Sequence, residues 1–181
     1  MKVILKHFMA FIFLSVIVSF TACNDTDDGH HVDPITLYEK VQGSWNLTDI
    51  LQIDETAITS GISPTEISLF DQLNFQSFNI TLNVDGSNTP TSYAVSGTAP
   101  ELFTKNGFWD MSSSFQMADG TIPVIYLYSD AAKTSLAGKL SIVSMPGAKS
   151  EMDLKLTRNT SGTAYVSYQY KLTKKTIEPN K

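Results

Sequence analysis

The chain has 181 residues, 42% of them hydrophobic, and a formal net charge of −5. That length suits a single domain with a buried core. An acidic balance without a basic stripe excludes a nucleic-acid partner, and a single cysteine, Cys23, excludes a disulfide framework.

Residues 1–22 read as a secretory leader, or signal peptide. Lys2 and Lys6 precede an apolar run of 13 residues from Phe8 to Phe20. Such a run is too short to cross a bilayer as a helix, which takes about 20 residues. Phe20-Thr21-Ala22-Cys23 then resembles the lipobox of bacterial lipoproteins. The resemblance implies cleavage after Ala22 and a diacylglyceryl group plus an N-acyl chain, commonly palmitate, on Cys23. Two or more chains hold a soluble domain stably at a membrane, where one does not. A short uncut anchor or an ordinary secreted protein is the alternative. Cleavage leaves 159 residues with 11 basic against 18 acidic side chains, a balance of −7.

Residues 23–33 form the lipidated tether. Beyond Cys23 it holds four carboxylates and one aliphatic residue, Val32, too little apolar surface to offset the entropy of ordering. The acidic run Asp25, Asp27 and Asp28 resembles signals that send some lipoproteins to the outer face of the outer membrane. A solvated spacer that leaves the domain on the periplasmic face is the other reading. His30 and His31 lack supporting ligands held in place, so no metal is expected. No cofactor is expected beyond the lipid on Cys23.

Residues 34–175 are the folded domain, and residues 176–181 a C-terminal tail. Asp33-Pro34 fits the cap and first turn of a short helix. Ile35, Tyr38 and Val41, with Leu37 beside them, make one face apolar, and Gly43 is its stop. Residues 44–54 switch to period two, with Trp45, Leu47, Leu51 and Ile53 on one face, interrupted by Asp49. Ser63-Pro64-Thr65-Glu66 matches a capping box, which predicts a second short helix through Ile67, Phe70 and Leu73. Residues 77–84 alternate strictly, and Asp85-Gly86 ends that strand. Further strands are expected at 91–96, 107–111 extending to 117, 122–128, 139–145, 151–157 and 164–173. Most are separated by turn signals such as Asp119-Gly120 and Asn159-Thr160-Ser161-Gly162. Eight short strands so spaced predict an all-β sandwich or up-and-down barrel.

Gly43-Ser44-Trp45, on the first strand after a short helix, resembles the Gly-x-Trp that opens lipocalin barrels. Gly107-Phe108-Trp109 repeats it mid-chain. With the lipobox, the strand ending at Asp85-Gly86 and the Ala99-Pro100 segment, the pattern is similar to a family of lipocalin-like (calycin-type) bacterial surface lipoproteins of uncharacterised function. The resemblance covers most of residues 35–173. It implies an eight-stranded antiparallel barrel with two short helices, anchored by lipid at the outer membrane. Lipocalins place an Arg on a late strand against the first Trp; the only Arg here is Arg158, at a strand end.

No histidine lies beyond the tether, which removes His-based nucleophile systems and His-based metal sites from the domain. The carboxylates left are Asp54/Glu55, Glu151/Asp153, Asp110 and Asp119. Glu151 and Asp153 alternate with Met152, Leu154 and Leu156, so they share the solvent face of a strand, where charge keeps the edge from foreign pairing. The chain is expected not to be an enzyme. Two strands are apolar on both faces: Ile125 and Leu127 oppose Val124, Tyr126 and Tyr128, while Val166, Tyr168, Tyr170 and Leu172 oppose Tyr165. Such strands need cover on both sides, from the helices for the most part. A ligand pocket lined by Trp109, Tyr126, Tyr128, Tyr168 and Tyr170 is the sharper alternative. The expected function is binding of a small apolar or amphipathic ligand without chemistry. The alternative is an adaptor subunit of a surface nutrient-uptake or adhesion complex.

Overall fold

The computed structural model describes residues 33–176, which form one folded unit from Ile35 onward. The leader, Cys23, Ala22 and the rest of the expected tether before Asp33 lie outside the described residues, as do residues 177–181 of the tail.

Helix α1 (Leu37–Val41) comes first. Its cap is Thr36 rather than Asp33: the Thr36 hydroxyl accepts from Glu39 N, and the Glu39 carboxylate accepts from Thr36 N at 2.7 Å. This reciprocal box satisfies two backbone donors that a bare helix start would leave unpaired. Leu37 and Val41 are buried, while Ile35 is 64% exposed, off the apolar face on which it was expected.

Strand β1 (Gly43–Asp54) follows, and a bulge between Leu47 and Asp49 resets its alternation. Trp45 and Leu47 point inward as expected; past the bulge Ile50 joins them in place of Leu51, and Ile53 is buried but outside the barrel cluster. Asp49 turns outward to Lys171 and Ser68. Helix α2 (Glu55–Ser60) was not expected. Asp54 caps it by accepting from Ala57 N at 2.8 Å, and Gly61 ends it in the left-handed conformation. The helix expected after Ser63 does not form. Glu66–Ser68 is instead a short strand, β2, paired antiparallel with β1 (Ile53 opposite Glu66). A single 3-10 turn, Phe75–Ser77, follows. A free edge of β1 offers residues 66–68 a ladder of backbone hydrogen bonds, and that outweighs a local capping signal.

The remaining strands are β3 (Asn79–Val84), β4 (Pro90–Ser96), β5 (Asn106–Met111), β6 (Val124–Tyr128), β7 (Leu136–Ser144), β8 (Glu151–Thr160) and β9 (Thr163–Lys174). β5 stops at Met111, short of the expected 117. Residues 112–123 form a loop, with Ser113 Oγ accepting from Phe115 N and Asp119 accepting from Thr121 N. Each strand from β3 onward pairs antiparallel with the next. β1 pairs with both β3 and β9, which closes an eight-stranded barrel, and β2 extends the sheet beside β1. The last hairpin turns on Ser161 and Gly162, both at positive φ, as a tight two-residue turn requires.

Inward side chains from all eight barrel strands form one cluster. It runs from Trp45, Leu82 and Trp109 through Ile125, Leu140 and Leu154 to Phe78 and Tyr170. α1 covers one end of it. The other end lies under the 97–105 connection and the Phe75–Ser77 turn. α2 packs on the outside of β9, so it covers Ser167 and not the outer face of β6.

Candidate functional site

At the α1 end, Trp45 is wholly buried and donates from Nε1 to Val41 O at 2.7 Å. Lys174 Nζ, from the last turn of β9, lies 5.4 Å from the Trp45 ring centroid, within cation–π range. A late-strand cation thus does sit against this Trp, supplied by Lys174. Arg158 is at the other end, where Nη2 donates to Leu102 O. Gly43 makes the crossing fit. Its φ is +106°, and a Cβ there would stand 3.0 Å from Lys174 Cε, so the Gly-x-Trp spacing answers a packing demand.

Trp109 is likewise buried, donating to Asn83 O at 2.7 Å with Tyr38 edge-on at 6.2 Å. Gly107, two residues before it, leaves room for the Tyr93 ring and the Tyr128 carbonyl. Both Gly-x-Trp units are therefore core-building elements.

At the opposite end, Phe78, Phe103 and Tyr170 meet as a ring cluster, with centroids 5.2 to 6.3 Å apart. The 97–105 loop roofs it. Thr98 N donates to Ser77 Oγ at 2.9 Å, which ties the loop to the 3-10 turn. Arg158 holds Leu102, and Lys105 pairs with Glu101 at 3.0 Å. Burial pushes the Tyr170 phenol well above its ordinary value. Beneath the roof a cavity of about 10 Å³ remains, bordered by Phe78, Val95, Ala99, Leu102 and Phe103. That is room for about one water molecule; small-molecule pockets run to ~300–1,000 Å³.

The five aromatics read from the sequence as pocket-lining do not share a face. Trp109 and Tyr170 are inward and buried, and Tyr168 is inward and half-buried. Tyr126 and Tyr128 alternate with buried Ile125 and Leu127 and so project outward. Their cover is cross-strand, not helical: Phe108 faces Tyr128, and Lys139 Nζ lies 5.5 Å from the Tyr126 centroid. Tyr93 and Phe75, not singled out in the sequence, are buried core aromatics.

The carboxylates are spread over the surface in structural contacts. Asp54 caps α2, and Glu55 pairs with Lys155 at 2.8 Å, which with Ser167 holds its carboxyl below the usual range. Asp110 accepts from Lys133 at 2.9 Å and from Tyr38 at 3.5 Å. Asp119 closes its own turn. Glu151 and Asp153 do lie on the outer side, in an open polar depression with Thr48, Lys171 and Thr173, where Asp153 accepts from Gln169. Among the described residues no group of three or more His, Cys, Asp or Glu gathers to hold a metal ion.

A family model described as a domain of unknown function (DUF5004) matches residues 19–173. The chain belongs to that family. No curated protein and no solved structure matches it. The DUF5004 domain is thus, in this chain, a closed eight-stranded antiparallel barrel capped by α1.

Proposed function

We propose that this DUF5004 protein is a lipid-anchored, lipocalin-like surface protein that binds without catalysing, and that it binds through its outer surface and loops. The observation that carries this is the filled interior: bulky side chains from every barrel strand meet in one cluster. A barrel of eight strands encloses just enough space for its own side chains or one small ligand, and here side chains take it. The role that fits is a non-enzymatic adaptor in a surface nutrient-uptake or adhesion complex. The crossover between β1 and β3 supports it by holding Ile58, Ile62, Ile67 and Leu73 at least half exposed, the kind of apolar display that marks contact surfaces.

A second reading is favoured by the roofed ring cluster. A small apolar or amphipathic ligand would lift the 97–105 loop and rest on Phe78 and Tyr170. Native mass spectrometry of the lipidated protein, extracted in detergent from its own cells, separates the two. The adaptor reading expects no small-molecule adduct and a co-purifying membrane partner that is lost on Ile62→Asp or Ile67→Asp. A bound small molecule, lost when Phe103 or Tyr168 becomes Ala, would replace it with the ligand reading.

A further inference from the structure

The α1 end of the barrel carries apolar side chains that its own core does not use. Phe115, Met117 and Ile122 stand on the 112–123 loop, 45%, 49% and 54% exposed. Leu37 N donates to Ser114 O at 2.8 Å, which fixes this loop beside α1, and Ile35, at the start of the unit, is 64% exposed. The loop has one carboxylate, Asp119, and no basic residue.

Exposed apolar groups gathered on one loop mark a surface that meets another phase or molecule. The chain itself names the occupant. It enters the fold at Ile35, on this end, and Cys23 lies 12 residues earlier. That connection cannot exceed about 40 Å even if fully extended. The far end stands roughly 30 Å beyond Ile35, the height of 12 residues tilted at about 40°, so only a connection stretched nearly straight along the barrel would reach past it. A lipid on Cys23 therefore brings this end to the bilayer first.

We propose that the 112–123 loop, with Ile35, is a membrane-docking surface that inserts Phe115, Met117 and Ile122 into a phospholipid bilayer. The inference rests on the lipid-anchor reading of Cys23. Stable anchoring takes more than one signal, and these side chains supply one from the folded domain, holding the barrel with its other end outward. Lys40, Lys149, Lys174 and Lys175 at this end are offset by Glu39, Asp85, Asp119 and Glu151. The docking is accordingly apolar and should persist in high salt, which screens only charge.

The test uses the full lipidated protein in vesicles of phosphatidylethanolamine and phosphatidylglycerol, with and without brominated acyl chains. Trp45 and Trp109 are buried, so an indole added by Phe115→Trp reports on its own surroundings. Docked side chains sit roughly 5–10 Å into the headgroup boundary, so F115W should lose about half its added emission to brominated lipid. Ile58→Trp, at the other end, should lose none. If the protein floats with the vesicles but F115W is quenched no more than I58W, the docking surface is overturned while the anchor stands. A second copy of the chain covering this loop would give that same result. If the protein does not float with the vesicles, the anchor and the docking fall together.

Discussion

Trp45 loses all solvent contact because two near neighbours in the chain and one distant residue converge on it: Val41 accepts its N–H, Lys174 covers its ring, and Gly43 clears the way for that lysine. Truncating so large a buried ring leaves both a cavity and an unused acceptor. Trp45→Ala should therefore cost about 3–5 kcal/mol in urea unfolding; a cost under about 0.5 kcal/mol would belong to a surface site. Tyr170 carries a different signature. Its folded pKa is raised above the ordinary 10.0 by burial, so the folded state keeps a proton that the unfolded state releases. The stability tied to that proton is complete below about pH 10 and drains as pH rises through the folded value. Thermal melts across that window should fall steeply for the wild type and less steeply for Tyr170→Phe, which has no proton to lose. Equal slopes would mean that Tyr170 is not shielded as the ring cluster implies.

Among the elements, the two helices show how similar signals divide. Thr36-x-x-Glu39 and Ser63-x-x-Glu66 both have the spacing of a capping box, yet only the first caps a helix. α1 has a core face to bury, through Leu37 and Val41, whereas residues 66–68 find the free edge of β1. Thr36→Ala should lower stability by about 1 kcal/mol, as the loss of a side-chain cap does. Ser63→Ala should stay within about 0.5 kcal/mol, the range of an ordinary surface change. Urea midpoints for the pair decide the point, and a Ser63→Ala cost equal to that of Thr36→Ala would contradict this account. The bulge in β1 is the other decisive local event. One added residue at Thr48 brings Ile50 inward and releases Asp49 to solvent, which is why Asp49 interrupted the apolar pattern.

For the whole molecule, a filled barrel makes position matter more than pocket. On the adaptor reading, whatever this protein meets it meets at a surface, and a lipid on Cys23 would decide which surface is free. Radiolabelled palmitate fed to cells should enter the wild-type protein and not Cys23→Ser. Protease added to intact cells should remove the domain, and replacing Asp25, Asp27 and Asp28 by Ala should protect it. Equal labelling of both chains would end the lipoprotein reading. Resistance of the wild type on whole cells, lost on lysis, would confine the domain to the periplasmic face.

The sequence by itself determined the eight barrel strands in outline, the all-β class and the inward face of most of them. Alternation such as Met152, Leu154, Leu156 against Glu151, Asp153, Lys155 is a local consequence of the period-two backbone, and burial only has to agree with it. It also contained Thr36-x-x-Glu39 and the run Tyr168, Tyr170, Leu172, Lys174, from which the true cap and the cation over Trp45 were legible though not read. Closure was another matter. Pairing of β1 with β9, the strand at Glu66–Ser68, the roof over Tyr170 and the outward turn of Tyr126 and Tyr128 all depend on neighbours far along the chain. No local period encodes which of two apolar faces becomes the inside. Tertiary packing decides that, because only the closed barrel fixes which side of each strand meets the other seven.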